Sequence, residues 1–471
     1  MIRLVALLPF LALSYALASE PCAAEPRPNI VFCLADDWSW PHAGIYGDKV
    51  VKTPTFDRVA REGVLFNYCF SAAPSCTPSR AAILTGQYPH RLKEGGNLWG
   101  FLPSEFPVYP SVLEAAGYHI GLTGKGWGPG DFSAGGYKRN PAGPSYRSFA
   151  DFLKTAPADK PFCFWFGSTR PHRPYEMGEG GRAGLKVADV FVPPMWPDVL
   201  EVRNDIVDYY SEVQRFDGQV ADIVSLLEKS GKLENTILVV SGDNGWPFPR
   251  CKANLYDGGT RQPLAVRWPA KIKAGRVLDS FINLSDLAPT FLEAAGLKPP
   301  PTMTGKSFLG LLSGAKGQEE RNSVFIERER HANVRKGDLS YPARAIRTRE
   351  YLYIRNFRPE RWPAGDPQKY VAVGPYGDCD DGPAKQYLLA HPDDPHFGLC
   401  FGKRPADELY DIRSDPHQIR NVAGQLKYAG ALKNLRMKLD RWMRETRDPR
   451  ATSVDEPWDK YPYFGDRPKK P

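Results

Sequence analysis

Hydrophobic residues in the first two thirds of the chain form short continuous runs that alternate with longer helical patterns. The runs are typical of strands buried on both faces, and they cover residues 29–34, 119–124, 162–168 and 235–241. Between them, residues 53–63 and 205–231 carry apolar side chains at helical spacing. This order predicts an α/β fold with a large, mainly parallel mixed sheet sandwiched by helices.

The pattern changes after about residue 320. Residues 323–331 and 344–357 indicate antiparallel strands, and residues 429–448 indicate a helix. We therefore predict two folded domains and a tail: a main catalytic domain at 26–320, a smaller C-terminal α+β domain with a short antiparallel sheet at 321–450, and an irregular tail at 451–471.

The first 18 residues have the pattern of a secretory signal. Arg3 precedes an apolar stretch, and Ala16, Leu17 and Ala18 form an AxA cleavage site. We expect cleavage and a secreted or periplasmic protein, with an uncleaved anchor as the alternative. Nothing later in the sequence approaches the ~20 apolar residues of a membrane span, so we expect no stable membrane insertion after cleavage.

The charge balance is mildly basic, with 62 Lys and Arg against 54 Asp and Glu. This excess of +8 suits an anionic substrate. The basic residues are spread along the chain instead of forming a dense block, so we expect no nucleic-acid partner.

Export would permit disulfides. Cys379 and Cys400 are the best candidate pair, because they flank a polar stretch with little hydrophobic pattern of its own. Cys33 and Cys163 lie inside apolar strand-like runs and are expected to be core thiols.

A fifth cysteine, Cys76, begins the segment CTPSRAAILTG, which ends at Gly86. Pro78 suits a first helical turn, so Cys76 is expected at the start of a helix with Arg80 one turn away. A helix N-terminus favours anions, which indicates a functional role for the cysteine. The alternative is a small buried cysteine before a core helix.

Two of the predicted strands end in acidic residues. Asp36 and Asp37 follow one strand, and Asp243 and Asn244 follow another. The carboxyl ends of parallel strands meet at one edge of a sheet, so these groups should converge there. Carboxylate and amide oxygens favour calcium or magnesium over zinc. The alternative is that each acid caps its own loop.

These motifs resemble those of the type I sulfatases. CxPSR followed by LTG is the signature of that family, and the matching positions are Cys76, Pro78, Ser79, Arg80, Leu84, Thr85 and Gly86. Residues 244–259, 324–331 and 407–423 most resemble the heparan N-sulfatases, or N-sulfoglucosamine sulfohydrolases. The resemblance implies an alkaline phosphatase-like fold and a sulfated carbohydrate substrate, such as a glycosaminoglycan, with a sulfate ester or sulfamate. It also implies a maturation enzyme that oxidises Cys76 to formylglycine.

The resemblance further implies the roles of individual residues. It assigns the metal, taken as Ca²⁺ although the ligand types also permit Mg²⁺, to the ligands Asp36, Asp37, Asp243, Asn244 and Cys76. It assigns the catalytic positions to Cys76 as nucleophile, Arg80, Lys125 and Lys252 as sulfate-binding cations, and His172 as proton donor to the leaving group.

One position departs from the family pattern GKxH. Trp127 replaces the histidine that usually touches the formylglycine hydroxyl, and His42 and His331 are candidate substitutes. Arg328, Arg344 and Arg347, with His331, are candidate sugar ligands, although exposed strand charges often have no function.

Two other functions compete with this interpretation. A phosphomonoester or phosphonate hydrolase of the same superfamily would share the metal-binding acids. A catalytically inactive carbohydrate-binding relative would explain Trp127, but it would have no use for the aldehyde precursor at Cys76.

Overall fold

The computed structural model describes residues 26–315, 317, 320–453, 455 and 457–465. The predicted signal segment lies outside the described residues. Within the described part, no helix combines the length and the apolar character needed to cross a membrane.

The larger sheet is mainly parallel, as predicted. Its strands are β1 (Asn29–Ala35), β2 (Val64–Phe70), β3 (His119–Gly124), β4 (Phe162–Gly167), β5 (Thr236–Gly242), β6 (Arg261–Arg267), β7 (Arg276–Leu278) and β8 (Ile282–Asn283). They lie in the order β3-β4-β1-β5-β6-β2-β7, and β8 also pairs with β2. Strands β3, β4, β1 and β5 are parallel, whereas β6 is antiparallel to both β5 and β2.

Helices cover both faces of this sheet and continue into the C-terminal part. They are α1 (Pro54–Arg61), α2 (Cys76–Thr85), α3 (Tyr109–Ala115), α4 (Phe149–Thr155), α5 (Glu179–Arg182), α6 (Leu200–Lys229), α7 (Asp257–Thr260), α8 (Leu287–Ala294), α9 (Leu309–Ser313), α10 (Pro383–Ala390), α11 (Pro395–Phe401), α12 (Ala429–Glu445) and α13 (Pro457–Lys460).

Strand β1 shows why the central strands are apolar at every position. Val31 and Cys33 pack in a cluster with side chains of α1, α4 and α6, whereas Ile30 and Phe32 pack on the other face with α2, α3 and α8. Successive side chains of a strand point to opposite faces, so a strand covered on both sides needs a continuous apolar run.

A second, smaller sheet is antiparallel, which confirms the predicted C-terminal architecture. Its strands are β9 (Ser323–Arg328), β10 (Ala343–Thr348), β11 (Tyr351–Asn356) and β12 (Asp407–Asp411), in the order β12-β11-β10-β9. Helix α12 buries Leu439 and Trp442 against one face of this sheet. The other face packs in a cluster with Phe70 at the end of β2 and with Leu255, Tyr256 and Phe281.

The prediction that three arginines of the smaller sheet are exposed strand charges is wrong. Arg328, Arg344 and Arg347 are all buried. Arg328 pairs with Asp378 at 2.6 Å, and Arg347 binds Asp257 through two nitrogens at 2.8 and 2.9 Å. These guanidinium groups are occupied by internal carboxylates, so they are not free to bind a sugar.

The expected disulfide between Cys379 and Cys400 is also absent. Both thiols are free and buried, and their sulfurs lie 3.5 Å from the carbonyl oxygens of Asp380 and Met195, respectively. The stretch between them forms α10 and α11, whose side chains join the apolar core beside α6. Packing therefore fixes a segment that the sequence pattern had suggested would need a cross-link.

Arg344 neutralises a buried group of acids, and its removal should destabilise the fold. It lies 2.6 Å from Asp448, 2.8 Å from Glu329 and 3.2 Å from Glu327. Arg344→Met should lower the free energy of unfolding by about 3–5 kcal/mol, because buried carboxylates lose their shared cation. Urea denaturation measures this change.

The matched control is Arg349→Ala in the same sheet region. Arg349 pairs with Glu320 with its side chain 37% exposed, so its loss should cost about 0–1 kcal/mol. Equal losses in the two variants would contradict the proposed importance of the buried network.

Candidate active site

Helix α2 places Cys76 at its first position. Ser75 precedes it in extended conformation, Pro78 lies in the first turn, and Gly86 closes the helix with a φ of 63°. Every residue of this helix is buried, including the charged Arg80. The sequence pattern predicted both ends of the helix correctly.

The predicted acids converge on Cys76. Asp36, Asp37, Asp243 and Cys76 each offer a ligand atom, and these atoms lie within 4.8 Å of one another. All four side chains are buried. They meet because β1 and β5 are neighbouring parallel strands whose carboxyl ends lie side by side.

The backbone around these acids is held by their own side chains. Asp37 has a φ of 75°, an unusual conformation for a residue other than glycine. Oδ1 of Asp243 accepts hydrogen bonds from the backbone N–H groups of Asp37 and Asn244, at 3.0 and 2.8 Å. This arrangement fixes both strand ends relative to each other.

Arg80 links three parts of the site. Its Nε donates to Asp243 Oδ2 at 2.7 Å, and its Nη2 is 3.4 Å from Asp36 Oδ1. Its Nη1 donates to the carbonyl oxygens of Lys125 and Gly126 at 2.7 and 2.9 Å. The guanidinium therefore orders the loop after β3 as well as balancing two acids.

The two predicted lysines each pair with one acid of the cluster. Lys125 Nζ is 2.8 and 2.7 Å from the two oxygens of Asp36. Lys252 Nζ is 2.8 Å from Asp37 Oδ2. Burial raises the pKa of Asp36, but Lys125, His172 and Arg80 outweigh that effect and hold its pKa well below the usual range.

His172 lies at the opening of the site with its side chain 34% exposed. Its Nδ1 donates to the carbonyl oxygen of Arg173 at 2.6 Å. The other ring nitrogen, Nε2, lies on the side of the acids, 3.8 Å from Asp37 Oδ2. A cavity of about 460 Å³ adjoins it, and Asp36, Lys125 and Trp99 contribute to its lining.

Cys76 as it stands is a poor nucleophile. Burial raises the pKa of its thiol well above the ordinary value, and Asp36 raises it further, although Lys125 and Lys252 act in the opposite direction. The thiolate is the reactive form of cysteine. Burial, together with the nearby acids, thus outweighs the anion-favouring helix terminus that the sequence suggested.

The donor set fits a hard divalent cation. Asn244 Nδ2 donates to Asp37 Oδ1 at 2.6 Å, while the buried Oδ1 of Asn244 has no hydrogen-bond partner among the described residues. Burial also raises the pKa of Asp243. An unpaired amide oxygen beside crowded carboxylates is the environment that Ca²⁺ or Mg²⁺ stabilises.

Trp127, the departure from the family pattern, packs in the apolar core. It is 3% exposed and lies in the cluster beside α2 and α3. His42 is buried against Trp246 and Tyr209, whereas His331 Nδ1 is 2.7 Å from the hydroxyl of Ser75. Of the two candidate substitutes, only His331 therefore contacts a neighbour of Cys76.

Sequence reasoning missed one charged residue of the site, Asp380. Its Oδ2 is 3.0 Å from Lys252 Nζ, and a carboxylate oxygen lies within 4.8 Å of His172. Asp380 belongs to the loop before α10, which is distant in sequence from the ends of β1 and β5. The sequence around it has no motif that would have indicated its position.

Two family models match the chain. The model described as sulfatase matches residues 28–297. A second model, described as the C-terminal part of N-sulphoglucosamine sulphohydrolase, matches residues 242–369. Together they span the acids, α2 and most of the smaller sheet.

Relatives match along nearly the whole chain. An ulvan-active sulfatase of Formosa agariphila is 30% identical over 92% of this chain and 84% of its own length. The human N-sulphoglucosamine sulphohydrolase is 28% identical over 92% of this chain and 93% of its own length.

Solved structures show the same fold at lower identity. One, of a protein in complex with its substrate D-glucosamine-2-N,6-O-disulfate, has a TM-score of 0.62 and 19% identity, covering 91% of this chain and 100% of its own. The phosphonate monoester hydrolase of Agrobacterium radiobacter has a TM-score of 0.64 and 18% identity, covering 89% and 96%. Because the first family model covers more than half of the sequence and the relatives align along almost all of it, the chain belongs to the sulfatase family.

Proposed function

We propose that this protein is an exported sulfatase that hydrolyses a sulfate ester or sulfamate of a sulfated carbohydrate. The nucleophile would be formylglycine, made from Cys76 by a maturation enzyme, and the cofactor would be Ca²⁺. The observation that carries the proposal is the position of Cys76 on a buried helix start, beside three acids and three cations.

The acids and Asn244 would hold the cation. Asp36, Asp37 and Asp243 offer carboxylate oxygens, and Asn244 offers its unpaired amide oxygen. A bound divalent cation supplies a fixed positive charge that polarises the sulfate group. Formylglycine would supply a hydroxyl nucleophile through its hydrated aldehyde, whereas burial raises the pKa of the unmodified Cys76 thiol.

The cations of the site suit the sulfate oxygens. Arg80, Lys125 and Lys252 are buried or nearly so and are already oriented by hydrogen bonds. Preorganised positive groups stabilise the negative charge that develops in the transition state. His172 is partly exposed at the opening, where it would donate a proton to the leaving oxygen or nitrogen.

Cys76, Arg80 and all four proposed metal ligands of the strand ends are retained, which argues against an inactive carbohydrate-binding protein. The rival phosphate or phosphonate activity differs in the anion that the cations hold. Rates on sulfate, phosphate and phosphonate monoesters therefore decide between the two enzymes.

The first test combines peptide mass and turnover. In protein from a host that matures sulfatases, the tryptic peptide of residues 62–80 contains Cys69 and Cys76. Alkylation should label only Cys69, and mass spectrometry should locate an aldehyde or its hydrate at position 76. Cys76→Ala should lower sulfated-sugar turnover by at least about 10³-fold, because the nucleophile is lost.

Cys163→Ala is the control, since Cys163 is a core thiol of β4 and its loss should leave turnover within a few-fold. A fully alkylated Cys76 in an active protein would overturn the formylglycine assignment. Faster hydrolysis of phosphate or phosphonate monoesters would favour the rival enzyme.

The second test concerns the cation. Ca²⁺ at 100 times its Kd should add about 2.7 kcal/mol to the stability of the folded state, because only that state assembles the ligands. Asn244→Leu, which removes one ligand oxygen at similar size, should weaken this effect in differential scanning calorimetry. Mg²⁺ is compared at the same concentration.

Asp222→Asn on the exposed face of α6 is the matched control. It should respond to Ca²⁺ as the unaltered protein does. An identical response in the Asn244→Leu variant would remove Asn244 from the ligand set, and no response to either cation in the unaltered protein would refute the metal site.

A further inference from the structure

The two oxygens of Asp37 face different groups. Oδ1 is 3.9 Å from Cys76 Sγ and accepts the hydrogen bond from Asn244. Oδ2 is 2.8 Å from Lys252 Nζ and 3.8 Å from His172 Nε2. The nucleophile position and the proton donor thus lie at separate oxygens of one carboxylate.

Asp380 lies with Lys252 and His172, on the side of Asp37 Oδ2. It lies 3.0 Å from Lys252 and within 4.8 Å of His172, and its side chain is 23% exposed. In a displacement at sulfur, the leaving group departs on the side away from the nucleophile. His172, the proposed proton donor to the leaving group, would mark that side, so Asp380 beside it would face the leaving sugar.

The loop that carries Asp380 is firmly anchored. Asp378 pairs with Arg328 and Arg335 at 2.6 and 2.5 Å. Lys385 Nζ donates to the carbonyl oxygen of Cys379 at 2.8 Å. A carboxylate held by such a supporting shell is positioned well enough to select among ligands.

The charge of Asp380 defines what it can bind. Burial raises its pKa, but Lys252, His172 and His331 outweigh that effect and hold the pKa below its ordinary value. An ionised carboxylate only accepts hydrogen bonds. It repels the oxygens of a sulfate, so its partner must be an O–H or N–H group.

We propose that Asp380 is a specificity-determining residue that accepts a hydrogen bond from a free hydroxyl or amino group of the sugar next to the sulfated position. This inference rests on the proposed function. It defines the substrate class as sugar sulfates or sulfamates with an unsubstituted donor at that neighbouring position. A second sulfate or an ether there removes the donor and places bulk or negative charge against Asp380.

The test uses the sulfated monosaccharide that the unaltered enzyme hydrolyses fastest, together with its mono-O-methyl ethers. One ether should lose roughly 10- to 100-fold in kcat/KM, the value of a hydrogen bond to a charged acceptor. Asp380→Asn should lower kcat/KM for the free sugar by a similar factor and should no longer discriminate against that ether. If the losses in kcat/KM caused by the ether and by Asp380→Asn do not add, the carboxylate and the sugar donor interact directly.

Asp381→Asn is the matched control, because Asp381 is the exposed neighbouring carboxylate. It should keep the discrimination of the unaltered enzyme. If Asp380→Asn slows every substrate equally, Asp380 acts only as a partner of Lys252 and the inference is overturned. An unchanged rate overturns it too.

Failure of the proposed function has a different signature, namely no turnover of any sulfated sugar by the unaltered protein. In that case the same free and methylated sugars are titrated into the protein by calorimetry. Equal affinity for all of them overturns the assignment of Asp380. The assignment is supported if the unaltered protein binds one ether more weakly than the free sugar and the Asp380→Asn variant binds the two equally.

Discussion

The active site depends on balancing charges that are buried or only partly exposed. Four carboxylates, those of Asp36, Asp37, Asp243 and Asp380, meet three cations at one edge of the sheet. An unpaired buried charge costs several kcal/mol, so no member of this group is tolerated alone. These carboxylates outnumber Arg80, Lys125 and Lys252 by one, and His172 and the proposed divalent cation would contribute further positive charge beside them.

The pairing of these charges brings together parts of the chain that are distant in sequence. The two parallel strands supply the first three acids, α2 supplies Arg80, and the loops after β3 and β5 supply the lysines. The loop before α10 adds Asp380, held in turn by arginines of the smaller sheet region. The smaller sheet thus supports the site through Arg328, whereas Arg344 and Arg347 pair with other internal acids.

Local signals were enough to predict most of this arrangement. Asp36 and Asp243 follow apolar runs, and strand ends in a parallel sheet converge whatever the rest of the fold does. Asp380 and the buried arginines depend on partners 50 or more residues away along the chain, which no local pattern encodes. For the same reason no local pattern indicated that α10 and α11 would pack on α6 and make a cross-link between Cys379 and Cys400 unnecessary.

The burial of α2 has a consequence for the order of events in the life of the protein. Cys76 is 2% exposed, and every other residue of its helix is buried as well. A modifying enzyme has to reach its target atom, and the folded protein buries Cys76 together with the rest of its helix. The proposed oxidation of this sulfur would therefore have to precede the closure of the core, so that maturation and folding would compete for the same nascent segment.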